Sequence, residues 1–191
     1  IAGESLDTAG MVVTAYYNNG TNEIINTGLT TRCDFTTAGT KTVTVKYKTF
    51  ETSFMVTITA RIPNSITSPT HSISGGYISE ILPGVTAAHL LNSINERQYI
   101  KIFNGNSEIS GGTKLATNMT VRLIDGSAVK QSLTVIIKGD LTGDGTVSAL
   151  GLLKLKRSIL GIETLSGAFG YAGDVNGDGN ANALDLLVMK R

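Results

Sequence analysis

The feature that most constrains this chain is an acidic loop that occurs twice near the carboxyl end. Residues 139–153 have a counterpart 34 residues later, at 173–187, and the repeat extends to the Lys-Arg pairs at 156–157 and 190–191. Each copy places oxygen-bearing side chains at loop positions 1, 3 and 5 and a glycine at position 6. Calcium prefers six to eight oxygen ligands, which alternate side chains of a curled loop can supply. The sequence therefore predicts a pair of calcium-binding loops.

The second loop has a complete set of ligands, and the first does not. In the second loop every ligand position carries an oxygen donor: Asp174, Asn176, Asp178, Asn180 through its carbonyl, Asn182 and Asp185. The first loop has a smaller set: Asp140, Thr142, Asp144, Thr146 through its carbonyl, and Ser148. Its last ligand position is Gly151, which has no side-chain oxygen. We expect two calcium ions, with the weaker site in the 140–151 loop.

A helical pattern follows each loop and divides into two stripes when residues are placed about 100° apart. Leu152, Leu155 and Ile159 form one stripe, which suits the core of the domain, and Leu186 and Met189 repeat it. The other stripe joins apolar residues to a Lys-Arg pair, which suits an interface with an acidic partner. It consists of Ala149, Leu150, Leu153, Lys156, Arg157 and Leu160 and, in the second copy, of Ala183, Leu184, Leu187, Lys190 and Arg191. The alternative is that both stripes are buried, the second against the preceding module.

Residues 139–191 resemble a type I dockerin, the cellulosome module that attaches enzymes to cohesin domains. The likeness rests on the Gly-Asp and Gly-Asp-Gly cores of both loops, on Asp185, and on the repeated Ala-Leu and Lys-Arg pairs. The resemblance implies an all-α domain of paired calcium loop-helix units. It also implies a cohesin of a scaffoldin or cell-surface protein as the partner, which contacts the Lys-Arg stripe. Because the unit is duplicated, either helix could dock, and we expect the first helix to dominate.

Residues 1–60 have the pattern of an antiparallel β-sandwich. Apolar side chains recur at alternate positions in residues 41–47, and Phe54, Val56 and Ile58 do so in the next run, which predicts one buried and one solvent-exposed face for each strand. The Asn-Asn-Gly sequence at 18–20 separates two strand-like runs and predicts a hairpin. Cys33 shares a face with Phe35 and is expected in the core.

The same region resembles a group 3 bacterial Ig-like domain, in the stretches 3–16 and 37–45. The family implies a spacer or surface module rather than an enzyme.

Residues 61–69 contain two of the three prolines and are predicted to be a linker. Residues 70–138 are predicted to be a small α+β module. Its expected elements are a strand at 72–78, a helix at 87–94 capped by Thr86, and strands at 99–103, 119–124 and 132–138 with a turn at 125–126. It is similar to modules that often precede dockerins in surface proteins of gut Firmicutes, in residues 82–86, 121–126 and 134–140. Because the last strand runs directly into the first loop, we expect rigid coupling to the tail.

Composition and motifs argue against several classes of function. A net charge of +1, only 16% charged residues and the lack of a basic run disfavour a nucleic-acid-binding protein. No apolar run is long enough to predict a membrane span. Only two histidines occur, and the motifs of serine hydrolases, zinc proteases and phosphate loops are absent. The sequence therefore predicts a protein that is not an enzyme.

Our interpretation is a multidomain, non-catalytic fragment of a larger secreted bacterial protein, since the chain begins at Ile1 rather than Met. It would attach that protein to a cohesin outside the cell or at the cell surface. Polysaccharide degradation, and any carbohydrate contact, would belong to an upstream domain. The main alternative is the rigid, calcium-stapled stalk of a surface adhesin with no cohesin partner. A carbohydrate-binding accessory module at 1–138 ranks below both because the chain has no tryptophan.

Overall fold

The computed structural model describes residues 2–190, which divide between residues 62 and 63 into two compact units. The first unit contains five strands: β1 (Thr14–Tyr16), β2 (Asn22–Ile24), β3 (Leu29–Arg32), β4 (Gly39–Tyr47) and β5 (Phe50–Ile58). The second unit contains six strands: β6 (Ser72–Ser74), β7 (Tyr77–Ser79), β8 (Ile100–Asn104), β9 (Ser107–Glu108), β10 (Thr120–Asp125) and β11 (Ala128–Val135). Its four α-helices are α1 (Ala87–Asn92), α2 (Ala149–Ile159), α3 (Gly167–Gly173) and α4 (Ala183–Met189).

The first unit is built from two antiparallel sheets, β1-β2 and β3-β4-β5. The predicted hairpin is confirmed, because Thr14 pairs with Ile24 across a turn in which Gly20 has a φ of +83°. The alternation predicted for β4 is also confirmed. Val43 and Val45 are buried, whereas Lys46, the next residue of the same strand, is exposed to solvent. Period-two alternation therefore gives this sheet one covered face.

Strand β5 departs from the predicted alternation. Phe54, which we placed on the buried face, is exposed, and so are Phe50 and Met55, with 76% and 73% of their surface accessible. Among the described residues β5 pairs only with β4, so its second edge is open. Cys33, which follows the edge strand β3, is half-buried rather than part of the core.

A six-stranded sheet forms the centre of the second unit, in the order β6-β7-β11-β10-β8-β9. Strands β7 and β11 are parallel, and every other neighbouring pair is antiparallel. The strand predicted at 72–78 is a hairpin of two short strands, because Gly75 and Gly76 turn the chain with φ of +59° and +83°. Helix α1 begins as predicted, with the Thr86 hydroxyl accepting the backbone N–H of His89.

The predicted linker spans residues 61–69, and its second half is attached to this sheet. Ile66 is buried, and its backbone N–H donates to the Gln131 side chain at 2.5 Å. The Ser68 hydroxyl donates to the carbonyl of Ser93 at 2.9 Å, just after α1. Residues 66–68 are therefore part of the second unit, and the divide between the units comes before them.

Helices α2, α3 and α4 share a core with the six-stranded sheet. This core contains the buried residues Ile136, Leu141, Leu155, Ala168 and Ala172, with Tyr77, Leu165, Ala181, Leu186 and Met189 packed against them. The rings of Tyr77, on β7, and Tyr171, on α3, have centroids 4.5 Å apart. We did not predict α3, because glycines at 167, 170 and 173 weaken its helical propensity. Residues 63–190 therefore pack as one body.

Candidate metal centre

Loop two, residues 174–185, brings three carboxylates to one point. One oxygen from each of Asp174, Asp178 and Asp185 lies within 4.8 Å of the others. Calcium–oxygen distances are about 2.3–2.6 Å, so oxygens on opposite sides of one ion lie about 5 Å apart. Within residues 2–190 this is the one such group of three or more acidic, histidine or cysteine side chains. The oxygen donors and their spacing fit a calcium ion.

Backbone N–H groups of the loop hold Asp174, the first of its predicted ligands. The N–H of Gly177 donates to one carboxylate oxygen at 2.9 Å, and that of Gly179 donates to the other at 3.1 Å. The ammonium of Lys138 lies 3.5 Å from the same carboxylate and also donates to the backbone carbonyl of Asp174. A sequence pattern could not have shown the role of Lys138, because the two residues meet only through the packing of α3 on the sheet.

Asp185, the predicted last ligand, also starts helix α4. Its two oxygens accept the backbone N–H groups of Asn176 at 2.9 Å and Asn182 at 2.8 Å. The Asn182 side chain in turn accepts the backbone N–H groups of Leu184 and of Asp185, so that Asn182 and Asp185 form a capping box. Asp185 is fully buried. The geometry of the metal loop and the first turn of α4 therefore depend on the same carboxylate.

Asp178 lies on the exposed side of the loop and is surrounded by asparagines. The amide side chain of Asn176 donates to one carboxylate oxygen at 2.9 Å, and the N–H of Asn180 donates to the other at 2.9 Å. These bonds, the Asn176 bond foremost, hold the pKa of the Asp178 carboxyl below its usual range. The Asn182 side chain donates to Asp178 at 3.3 Å and to the Asn180 carbonyl at 3.1 Å. Hydrogen bonds therefore link five of the six predicted ligands to one another: Asn176, Asp178, Asn180, Asn182 and Asp185.

Loop one, residues 140–151, has a different environment. Asp140 is fully buried, and its two oxygens accept four backbone N–H groups. These donors are Gly143 at 2.8 Å, Asp144 at 3.2 Å, Gly145 at 3.0 Å and, from the segment before the loop, Thr117 at 2.8 Å. Four donors compensate the cost of burying this carboxylate.

Loop one has two carboxylates among its predicted ligands, and the rest of the set has hydroxyl or carbonyl oxygens. Asp144 is exposed, and hydrogen bonds from the hydroxyl and N–H of Thr146 lower the pKa of its carboxyl. The Thr142 hydroxyl donates to Asp140 at 3.4 Å. The Ser148 hydroxyl accepts the N–H of Gly151 at 3.2 Å and caps α2. This loop fits a calcium ion less well than loop two does.

The two predicted stripes of α2 are separated in the structure. Leu155 is fully buried and Leu152 is half-buried. Ile159, the last residue of α2, is exposed. The second stripe faces solvent; Leu150, for example, has 57% of its surface accessible. Every member is exposed: Ala149, Leu150, Leu153, Lys156, Arg157 and Leu160. The alternative in which this stripe is buried against the preceding module is therefore wrong.

Helix α4 repeats the arrangement over a shorter length, with seven residues against eleven in α2. Leu186 and Met189 are half-buried, and the outer stripe is exposed at Ala183, Leu184, Leu187 and Lys190. Arg191 lies outside the described residues. On the first helix Arg157 pairs with Glu163 at 3.3 Å, a residue that we did not single out from the sequence.

Comparison with protein-family models gives two matches. Residues 138–191 match the dockerin type I domain, and residues 1–58 match the bacterial Ig-like domain (group 3). Searches of curated proteins and of solved structures gave no match. Both families are non-catalytic modules typical of extracellular bacterial proteins, and type I dockerins in general bind calcium and dock to cohesins. No helix among residues 2–190 is both long enough and apolar enough to cross a membrane. The two matches support a type I dockerin domain at residues 138–191, preceded in the chain by a group 3 bacterial Ig-like domain.

Proposed function

We propose that this chain is a non-catalytic docking module that attaches a larger secreted bacterial protein to a cohesin. The cohesin belongs to a scaffoldin or a cell-surface protein, as in a cellulosome that degrades polysaccharides. The observation that carries the proposal is the solvent-exposed stripe on α2, in which three leucines stand beside Lys156 and Arg157. A contiguous apolar patch on a solvent face is typical of an interaction site, and the basic pair suits an acidic rim on the partner.

Calcium has a structural part in this proposal. Asp174, Asp178 and Asp185 repel one another at the spacing that loop two imposes, and a bound calcium ion would neutralise that repulsion. The binding free energy of the ion then stabilises the fold of the loop and of α4 behind it. The first loop has two carboxylates in its ligand positions, so we retain two sites with the weaker at 140–151.

The first helix supplies the dominant docking face. Helix α2 is longer than α4 and presents its full stripe, including Leu160 after its last turn. The approximate repeat leaves the α4 stripe, with Leu184 and Lys190, as a second face for the same partner class.

The test is binding of the full chain to a panel of purified bacterial cohesin domains, with calcium and with EDTA. Leu150→Asp combined with Lys156→Glu and Arg157→Glu should abolish binding at the first face. The corresponding changes at Leu184, Lys190 and Arg191 should weaken binding less. Leu82→Asp is the matched control, because Leu82 is a leucine with 73% of its surface exposed outside both stripes.

If the second set abolishes binding and the first does not, the dominant face is α4. If neither set changes binding to a cohesin that the chain recognises, the docking face is elsewhere and the stripes are not the interface.

A second candidate function is the rigid, calcium-stapled stalk of a surface adhesin. The shared core of residues 63–190, with its Tyr77–Tyr171 contact, favours this reading because a stalk needs stiffness between neighbouring elements. The stalk predicts that calcium raises the melting temperature while no cohesin in the panel binds.

A further inference from the structure

The segment that precedes loop one, residues 63–138, contacts that loop directly. The N–H of Thr117 donates to the Asp140 carboxylate at 2.8 Å. The N–H of Gly84 donates to the carbonyl of Gly145 at 3.3 Å. Gly145 is itself buried against Leu115, so closely that a Cβ atom added to Gly145 would overlap the Leu115 carbonyl oxygen. Two separate stretches, at residue 84 and at residues 115–117, therefore meet loop one at its turn.

Loop two has no comparable enclosure. Its turn glycine is Gly179, which is exposed and would have open space around an added Cβ atom. Residues 176–180 are all exposed. Lys138 contacts loop two at its first residue, Asp174, and leaves the turn beyond it uncovered.

The second residue is also more deeply buried in loop one than in loop two. Leu141 is fully buried in the shared core, whereas its counterpart Val175 is half-buried. Burying the whole leucine side chain removes more apolar surface from water than half-burying a valine does, and so stabilises this position of loop one more strongly. Loop one is thus fixed at its first, second and sixth residues by packing and backbone hydrogen bonds.

The charges of the two loops also indicate that loop one needs a cation less than loop two does. In loop one the buried carboxylate of Asp140 already has four N–H donors, and Asp144 is exposed to water, so little repulsion remains for a cation to relieve. In loop two three carboxylates lie within 4.8 Å of one another. Unscreened like charges at that distance destabilise a calcium-free loop.

We infer that contacts from residues 63–138 take the place of calcium in holding loop one, so that calcium controls the folding of loop two and α4 but not of loop one and α2. The docking stripe of α2 then stays folded in a chelator, and the stripe of α4 does not. This inference rests on the proposed calcium role of loop two and is independent of the cohesin partner.

The test is hydrogen exchange of the full chain, followed by mass spectrometry, in calcium and in EDTA. In EDTA we expect exchange in residues 174–190 to accelerate by about tenfold or more, while exchange in residues 139–160 changes by less than about twofold. This experiment needs no variant, so a folding defect cannot obscure it.

Two glycine variants test the cause. Gly145→Ala and Gly179→Ala stand at equivalent loop positions and share the strain of a positive φ, +78° and +91° respectively. Only the first overlaps Leu115. In EDTA, Gly145→Ala should accelerate exchange in residues 139–160, whereas Gly179→Ala should leave those residues as in the unsubstituted chain.

Acceleration of both loops together when EDTA is added to the unsubstituted chain would overturn the inference and leave the docking proposal standing. Unchanged exchange in residues 174–190 would also overturn it, and would contradict the calcium requirement of the proposed function. Failure of every cohesin to bind, with the exchange pattern as expected, would count against the docking proposal alone.

Discussion

The buried carboxylate of Asp185 allows a quantitative prediction about loop two. Asp185→Ala removes the acceptor of two backbone N–H groups, those of Asn176 and Asn182. Asn176 is exposed and its N–H can turn to water, whereas Asn182 is half-buried. A buried donor left without a partner costs about 1–3 kcal/mol, so the change should destabilise the loop and α4 by about 1–3 kcal/mol. A typical domain is stabilised by only about 5–15 kcal/mol. Helix α4 should therefore open locally even when calcium is present.

Asp178→Ala is the matched control. It also removes one carboxylate from the group of three, but its backbone donor, the N–H of Asn180, is exposed and can turn to water. Both variants should bind calcium more weakly, because ligand charge is a main determinant of affinity. Only Asp185→Ala should carry the additional cost of leaving the N–H of half-buried Asn182 without an acceptor.

The assay is hydrogen exchange of residues 183–190 at a calcium concentration that saturates each variant, with calorimetry to establish saturation. A difference of about 1–3 kcal/mol corresponds to exchange about 5- to 140-fold faster in Asp185→Ala than in Asp178→Ala. Equal exchange in the two variants would refute the reasoning that Asp185 is a structural cap as well as a ligand.

Three further predictions concern other parts of the chain. Tyr171→Ala removes the ring contact with Tyr77 and should lower the stability of the second unit by about 0.5–1.5 kcal/mol in denaturant unfolding, whereas Tyr16→Ala, an exposed tyrosine of the first unit, should not. Gly151→Asp should raise the calcium affinity of loop one, measured by calorimetry, because it adds a third carboxylate to the ligand positions. Its Cβ atom would lie 3.3 Å from the Gly139 carbonyl oxygen, which must shift by a few tenths of an ångström to admit it. An unchanged affinity would show that the last ligand position of loop one is not open to a carboxylate. Met55→Lys should reduce self-association in light scattering, because it adds a charge to the open β5 edge, while Val12→Lys at an exposed residue outside the strands should have no such effect.

The convergence of the three carboxylates of loop two was predictable because their spacing is a local property. Asp174, Asp178 and Asp185 converge through the turn of a single short segment, which the positions of the acids and glycines encode. The solvent face of α2 was predictable for a similar reason, since helical periodicity alone separates Leu155 from Leu150.

The contacts that distinguish the two loops were not predictable from the sequence. Asp140 and Thr117 are joined by a backbone N–H, which carries no side-chain signature and depends on how distant segments pack. Helix α3 was missed because its glycines lower helical propensity, and it forms through the burial of Ala168 and Ala172. Alternation in β5 identified which residues share a face, but it does not show whether a second sheet covers that face.

The residues Tyr77 and Ile136 affect how the proposed docking activity could be transplanted to another protein. Both lie before the dockerin match, yet both pack on its core beside Leu141 and Ala172. A fusion that carried residues 139–191 alone would leave these apolar surfaces open to water and would lose the Thr117 donor to Asp140. We expect the smallest portable cassette to be residues 63–191, so a cargo protein equipped with it would acquire the six-stranded sheet together with the docking helices.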